Sequence, residues 1–155
     1  MASIEQLMVT HMITARPDES VADVAHRMAT NRVGAVLVVD GGRLVGLFSE
    51  RDLLTRVVGS DRRPDTTPVG AMATPDPITI QVDAPLRSVI EVFRQRKFRH
   101  LPVMHNGRPV GILSTRDFLE YLVDGFERYI DQVQYQRELA QGVDPYDHIG
   151  GSYGR

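Results

Sequence analysis

The stretch GLFSERD at Gly46–Asp52 recurs almost unchanged as GILSTRD at Gly111–Asp117, 65 positions further along the chain. The same shift aligns residues 7–54 with residues 72–119 without a gap, and 13 of these 48 aligned positions are identical. Average residue usage would give about three identities by chance. The chain is therefore predicted to be a tandem duplication, and this repeat decides the architecture before any single element is considered.

Both copies have the same predicted order of elements. A short extended stretch, Ile13-Thr14 or Ile78-Thr79, precedes a segment whose apolar residues recur with helical spacing. Two β-rich runs follow, joined by the turn residues GGR or NGR, and NG in particular indicates a two-residue hairpin. Ser49 and Ser114 are predicted to start the next helix. Each copy is therefore expected to form a β-α-β-β-α unit.

The predicted domain boundaries follow from this order. They are a first repeat with a short leading helix at residues 1–58, a polar, Pro- and Gly-containing linker at 59–71, a second repeat at 72–122, and a C-terminal helix extension with a tail at 123–155. From Thr115 to about Gln141, apolar residues fall largely on one side of a helix. This apolar side fits a dimer or partner interface, and it also fits packing onto its own module.

The composition of the chain excludes several classes of protein. Its 155 residues carry a formal net charge of −2, which argues against general attraction to nucleic acid or to an anionic membrane. The absence of cysteine excludes disulfides, thiolate metal sites and a cysteine nucleophile. The chain starts without the features of a secretion signal, and no apolar run approaches the roughly 18–20 residues that span a bilayer. We therefore expect a soluble, cytoplasmic protein.

The repeated S-x-x-D motif, Ser49 with Asp52 and Ser114 with Asp117, is open to two readings. A serine followed three residues later by an acid is close to a capping box, which satisfies free N–H groups at the start of a helix. The same geometry also suits a ligand, because a helix start favours phosphate and an aspartate can accept hydrogen bonds from both hydroxyls of a ribose. The residues alone leave both readings open.

Nothing in the spacing of the polar residues predicts catalysis. The five histidines lack the spacing of a metal site, and neither a Ser-His-Asp arrangement nor a Gly-rich phosphate loop can be argued from the sequence. We therefore predict no catalytic residue and no metal ligand.

The two runs AVLVVDGGRLVGLFSERDLL and HLPVMHNGRPVGILSTRDFL resemble a pair of cystathionine-β-synthase (CBS) domains, the tandem unit called a Bateman module. The resemblance covers Leu7 to about Leu122. It implies an α/β fold of the α+β type, with two CBS repeats packed sheet-to-sheet about a pseudo-two-fold axis and two related clefts between them. Such modules commonly bind adenosine compounds and regulate a partner without catalysing a reaction, and stand-alone forms commonly dimerise.

The resemblance also implies which residues line each cleft. The first cleft would combine Ile112, Ser114 and Asp117 with Ile13 and the backbone around Val33 and Gly34; the second would combine Leu47, Ser49 and Asp52 with Ile78 and the backbone around Phe98 and Arg99. The apolar members would enclose an adenine ring. Plain core packing is the alternative reading for those apolar members.

Basic residues distinguish the two copies. Arg99 and His100 are implied by the resemblance to neutralise phosphates, whereas the first copy has Gly34 and Ala35 at the same positions. We therefore expect unequal clefts, with the Asp117 cleft as the stronger candidate. Arg116 is a further candidate for the nucleotide site, and contact with the other protomer or pairing with a nearby acid are its alternatives.

The sequence thus predicts a non-catalytic regulatory sensor that binds AMP, ADP or ATP as a regulatory ligand and requires no cofactor. The alternative is a ligand-free dimerisation or scaffold module that regulates a partner protein. The expected partners are an adenosine-containing small molecule, a second copy of the chain and an unidentified regulated protein. Neither a membrane nor nucleic acid is expected as a partner.

Overall fold

The structure, a computed structural model, describes residues 3–95 and 99–142. Phe98, one of the predicted cleft residues, and the predicted tail from residue 143 onward lie outside the described residues. The elements follow in the order α1 (Ile4–Leu7), β1 (Thr14–Ala15), α2 (Val21–Asn31), β2 (Ala35–Asp40), β3 (Arg43–Ser49), α3 (Glu50–Asp52), α4 (Val69–Met72), β4 (Thr74–Pro75), β5 (Ile80–Gln81), α5 (Leu86–Gln95), β6 (His100–His105), β7 (Arg108–Ser114) and α6 (Thr115–Ala140).

A tight hairpin forms the centre of each repeat. The β2–β3 turn has positive φ at Gly41 (56°) and Gly42 (80°), and the β6–β7 turn has positive φ at Asn106 (50°) and Gly107 (76°). Two consecutive residues with positive φ are typical of the type I′ turn, whose twist matches that of the flanking strands. The two-residue hairpin predicted from NG is confirmed.

The two repeats share one strand register. β1 runs parallel to β2 with Ala15 opposite Val38, and β5 runs parallel to β6 with Ile80 opposite Val103, which is the same pair 65 positions later. Both hairpins also shift register immediately after Val38 and Val103, as a β-bulge does. The mixed α/β fold built from two equivalent repeats is therefore confirmed.

The segment that leads into each repeat pairs with the hairpin of the other repeat. β4 runs antiparallel to β3 with Thr74 opposite Leu47, which completes a sheet of order β1-β2-β3-β4. At the equivalent place, the Val9 N–H donates to the Ile112 carbonyl oxygen at 2.9 Å, and the Ile112 N–H donates to the Val9 carbonyl oxygen at 3.0 Å. We call this arrangement the crossed pairing, and residues 69–75, which carry α4 and β4, the crossing segment.

The end of the predicted linker packs onto the first repeat. Val69 is fully buried and belongs to the core cluster of that repeat. Its N–H donates to the Glu19 carbonyl oxygen at 2.8 Å, and the Val21 N–H donates to the Thr67 carbonyl oxygen at 2.9 Å. The chain between the repeats is thus held in place before it reaches β4.

The repeats differ after the S-x-x-D motif. In the second repeat α6 continues to Ala140, which confirms the long C-terminal helix. In the first repeat α3 passes into a π turn at Leu53–Val57 and a 3-10 turn at Val58–Ser60, where the sequence predicted one continuous helix. The Thr55 hydroxyl donates to the Arg51 carbonyl oxygen at 2.7 Å, and such side-chain bonds compete with regular helix bonds.

Gly46 marks the place where the crossing segment passes closest to β3. A Cβ atom at Gly46 would lie 3.1 Å from the Ala73 Cβ and 3.2 Å from the Thr74 carbonyl oxygen. At the equivalent Gly111, a Cβ would lie 3.2 Å from the Met8 Cβ. A side chain at either glycine would therefore be in tight contact with the crossed segment.

We expect Gly46→Val to lower the free energy of unfolding by about 1–3 kcal/mol, because the added side chain forces the crossing segment away from β3. Urea denaturation followed by circular dichroism measures this loss. Gly125→Val is the matched control, since a Cβ at Gly125 meets no heavy atom within 4 Å and valine is no worse than glycine inside a helix. Equal stability of the two variants would contradict the crossed pairing.

Candidate functional site

Each S-x-x-D motif forms a capping box. In the first repeat the Ser49 N–H and hydroxyl both donate to Asp52 Oδ2 at 2.9 Å, and the Asp52 N–H donates to Ser49 Oγ at 3.3 Å. In the second repeat the Ser114 hydroxyl donates to Asp117 Oδ2 at 2.6 Å, and the Asp117 N–H donates to Ser114 Oγ at 3.1 Å. The box engages Oδ2, so Oδ1 of each aspartate can take another partner.

A cavity of about 910 Å³ opens beside the Asp52 motif and draws its walls from both repeats. It is lined by Leu47, Ser49, Glu50, Arg51, Asp52, Leu54, Arg56, Thr74, Asp76, Pro77, Ile78, Arg99 and His100. The volume lies in the range of small-molecule sites, about 300–1,000 Å³. We call this cavity the Asp52 cleft.

Six of the predicted site residues line the Asp52 cleft. They are Leu47, Ser49, Asp52, Ile78, Arg99 and His100. Leu54 and Ile78 supply an apolar wall that is open to solvent, with 65% and 39% of their surface exposed. The cleft therefore combines apolar side chains, a helix start and basic groups in one place.

The residues predicted for the other cleft are not part of this lining. Six predicted residues fall in this group: Ile13, Val33, Gly34, Ile112, Ser114 and Asp117. Arg116, the further candidate, is not part of the lining either. Ile13 and Val33 pack against the core of the first repeat, which agrees with the core-packing alternative. The Ile112 backbone is engaged in the bridge to Val9. The inequality of the two clefts stays a prediction. Arg99 and His100, the basic residues on which it was based, line the Asp52 cleft.

Arg56 is the most informative site residue that the sequence reasoning missed. Its Nε lies 3.4 Å from Asp52 Oδ1, and its Nη1 donates to the Met72 and Ala73 carbonyl oxygens at 3.3 Å each. Its spacing of four residues from Asp52 is a signal that could have indicated the pair. Thr74 and Asp76 were also missed, because only the crossed pairing brings them to this cleft.

Charges of both signs line the Asp52 cleft. The basic side chains are Arg51, Arg56 and Arg99, and the carboxylates are Glu50, Asp52 and Asp76. Asp52 is only 8% exposed, and Arg56 is its cationic neighbour. A buried carboxylate needs such compensation, since an unpaired charge is strongly disfavoured away from water. With Asp52 matched by Arg56, Arg51 and Arg99 are the arginines that remain for an anionic ligand.

His100 lies where the two repeats meet. A Cβ at Gly34 would lie only 3.3 Å from the His100 Nε2, so the imidazole of one repeat lies close to Gly34 of the other. Burial of the ring lowers the pKa of His100 below its ordinary 6.5; the carboxylates of Glu50 and Asp117 act to raise it, and Arg99 acts to lower it. The imidazole is therefore neutral at pH 7, and a phosphate beside it would favour protonation.

The comparisons with known proteins agree with this architecture. The family model for the CBS domain matches residues 4–59 and 69–124, so the chain belongs to the CBS-domain family and carries the domain twice. The chain is 31% identical over 151 residues to the CBS domain-containing protein CBSCBSPB3 of Arabidopsis thaliana. That match covers 97% of this chain and 27% of the plant protein, so the chain spans about a quarter of its relative.

Two solved structures are similar to the chain and are complexes with AMP. The CBS domain protein PAE2072 from Pyrobaculum aerophilum, complexed with AMP, is 31% identical with a TM-score of 0.69, over 75% of this chain and 89% of that one. CBSX2 in complex with AMP has a TM-score of 0.69 over 80% and 98% of the two chains, and at 24% identity it supports the fold alone. Across residues 3–95 and 99–142, no helix is both long enough and apolar enough to cross a membrane.

We expect the stability of the protein to fall as the pH drops from about 7 to about 5, in part through His100. Because the pKa of His100 is lowered in the folded state, the unfolded chain takes up a proton first, and acid therefore favours unfolding. His100→Gln should flatten this pH dependence, measured by urea denaturation at both pH values, with the exposed His105→Gln as the control. The same slope in wild type and His100→Gln would contradict this assignment.

Proposed function

We propose that the protein is a non-catalytic regulatory module that binds an adenine nucleotide, AMP, ADP or ATP, in the Asp52 cleft. The ribose would contact Asp52, the adenine would lie against Leu47 and Ile78, and the phosphates would face Arg99 and His100. Binding at such a site regulates a partner when the nucleotide prefers one arrangement of the repeats over another.

The observation that carries the proposal is the composition of the Asp52 cleft. An apolar wall, the start of a helix with a serine hydroxyl, three carboxylates, three arginines and a histidine surround one cavity of about 910 Å³. Each feature suits one part of a nucleotide: the ring, the ribose or the phosphates. The AMP complex of PAE2072, a protein 31% identical to this chain, supports the same class of ligand.

We also propose a second nucleotide-binding site at the Asp117 motif. Ser114 and Asp117 form the same capping box as Ser49 and Asp52. The Glu50 N–H donates to the Gly34 carbonyl oxygen and the Thr115 N–H to the Arg99 carbonyl oxygen, each at 2.9 Å. We place the Asp52 cleft ahead of the Asp117 motif as the nucleotide site because basic side chains line the Asp52 cleft.

A homodimer that acts as a scaffold is the second candidate function, and α6 favours it. Along this helix a series of large apolar side chains is 46–64% exposed: Leu119, Leu122, Val123, Phe126, Tyr129, Ile130 and Val133. Their spacing of three and four residues forms one stripe. Leu54 and Val58, which correspond to Leu119 and Val123 in the first repeat, are also exposed. A second copy in the cytoplasm is the occupant we propose for these surfaces.

Calorimetric titration with AMP, ADP and ATP, and with GMP as a base-specificity control, tests the nucleotide proposal. We expect Asp52→Asn to weaken binding of the preferred adenine nucleotide by about tenfold or more, because the ribose hydroxyls lose a charged acceptor. Asp117→Asn makes the same change in the equivalent capping box, so comparison of the two variants shows which motif binds the preferred nucleotide. Thermal denaturation of both variants establishes that they remain folded at the temperature of the titration.

Three results would count against this proposal. Loss of binding in Asp117→Asn alone would move the site to the other motif. Equal affinity in wild type and both variants would reduce the aspartates to helix caps. Failure of the wild-type protein to bind any adenine nucleotide would favour the scaffold function.

A further inference from the structure

Arg56 connects the candidate ribose site to the crossing segment. One side of its guanidinium faces Asp52 Oδ1, with Nε at 3.4 Å. The other side, Nη1, donates to the carbonyl oxygens of Met72 and Ala73 at 3.3 Å each. These two carbonyls belong to the end of α4, just before β4 enters the first sheet. A single side chain of the first repeat thus contacts both the motif and the chain that leads into the second repeat.

The two oxygens of Asp52 have different partners. Its Oδ2 accepts from the N–H and hydroxyl of Ser49, which closes the capping box. Its Oδ1 faces the Arg56 guanidinium. A ribose diol that hydrogen-bonds to Asp52 would therefore use Oδ1, the oxygen that faces the Arg56 guanidinium, because Oδ2 already accepts two hydrogen bonds in the capping box.

The second repeat has no arginine at the position equivalent to Arg56. The residue that corresponds to Arg56 is Tyr121, which offers no guanidinium, although Ser114 and Asp117 form the same capping box. Arg56 also lies in the π turn Leu53–Val57, whereas the second repeat continues as a regular α-helix. π turns change the direction of side chains within a helix and occur often at functional sites. The link to the crossing segment is thus particular to the Asp52 cleft.

We propose that Arg56 is a positioning residue that couples occupation of the Asp52 cleft to the crossing segment. The proposal rests on the proposed function, because it requires a ribose-containing ligand at Asp52. When the ribose hydroxyls donate to Oδ1, they share this oxygen with the guanidinium, and both the attraction of Arg56 to Asp52 and its hold on the Met72 and Ala73 carbonyls weaken. Ligand binding thereby makes residues 69–75 more mobile, whereas in the ligand-free protein Arg56 keeps them in place. A partner that recognises this segment would sense the ligand.

Arg56→Met tests the competition, because methionine keeps an unbranched apolar stem and removes the guanidinium. The probe is adenosine, which carries the ribose diol without phosphate, and AMP is titrated in parallel. We expect Arg56→Met to bind adenosine about two to five times more tightly than wild type. In wild type the ribose must weaken the half-exposed ion pair between Arg56 and Asp52, and such a pair is worth little energy. Weaker binding of AMP with unchanged binding of adenosine would make Arg56 a phosphate contact and overturn the proposal.

Hydrogen exchange read by mass spectrometry tests the coupling in the same samples. We expect faster exchange of the amides in residues 69–75 of ligand-free Arg56→Met than in wild type. Adenosine should accelerate this exchange in wild type and leave it unchanged in Arg56→Met. Arg51→Met is the matched control, since it removes another arginine from the cleft lining and should leave the exchange of the ligand-free crossing segment as in wild type.

The outcomes separate this inference from the proposed function. If wild-type protein binds neither adenosine nor AMP, the proposed function and the coupling both fail. If wild type binds adenosine but exchange in residues 69–75 is the same in every sample, the nucleotide site stands and the coupling through Arg56 is refuted.

Discussion

The crossed pairing of the two leading segments is the interaction on which the rest of the structure depends. The bridge between Val9 and Ile112 and the pair formed by Thr74 and Leu47 occupy equivalent places in the two repeats. Each hairpin thus has a strand of its own repeat on one side and a segment contributed by the other repeat on the other side. Gly46 provides the space that one of these approaches requires. Duplication alone would give two similar repeats, whereas the crossed pairing joins the two repeats by backbone hydrogen bonds.

The same pairing constructs the Asp52 cleft. β3 ends at the capping box of Ser49 and Asp52, and β4, lying beside β3, leads directly to Asp76 and Ile78. Asp76 has a φ of 44°, a left-handed conformation that favours a change of chain direction between β4 and β5. A ligand in this cleft would touch both repeats at once. That geometry suits a sensor, since any change in how the repeats approach each other alters the site.

Much of this arrangement can be predicted from the sequence because a pattern that occurs at equivalent positions of both copies is rarely accidental. The GG and NG turns, the S-x-x-D boxes and the long helix from Thr115 follow from local rules, and six predicted site residues line one cleft. The crossed pairing is not a local property, so the positions of Thr74 and Asp76 could not be predicted. The π turn that carries Arg56 likewise depends on competing hydroxyl bonds that a helical periodicity does not reveal.

A crystal structure of the protein grown with saturating AMP would show directly whether the Asp52 cleft binds an adenine nucleotide. We expect nucleotide density in the Asp52 cleft, with the ribose hydroxyls within hydrogen-bond distance of Asp52, the adenine between Leu47 and Ile78, and the phosphate near Arg99. An empty Asp52 cleft at saturating AMP, or AMP bound only at another place on the protein, would contradict the proposal.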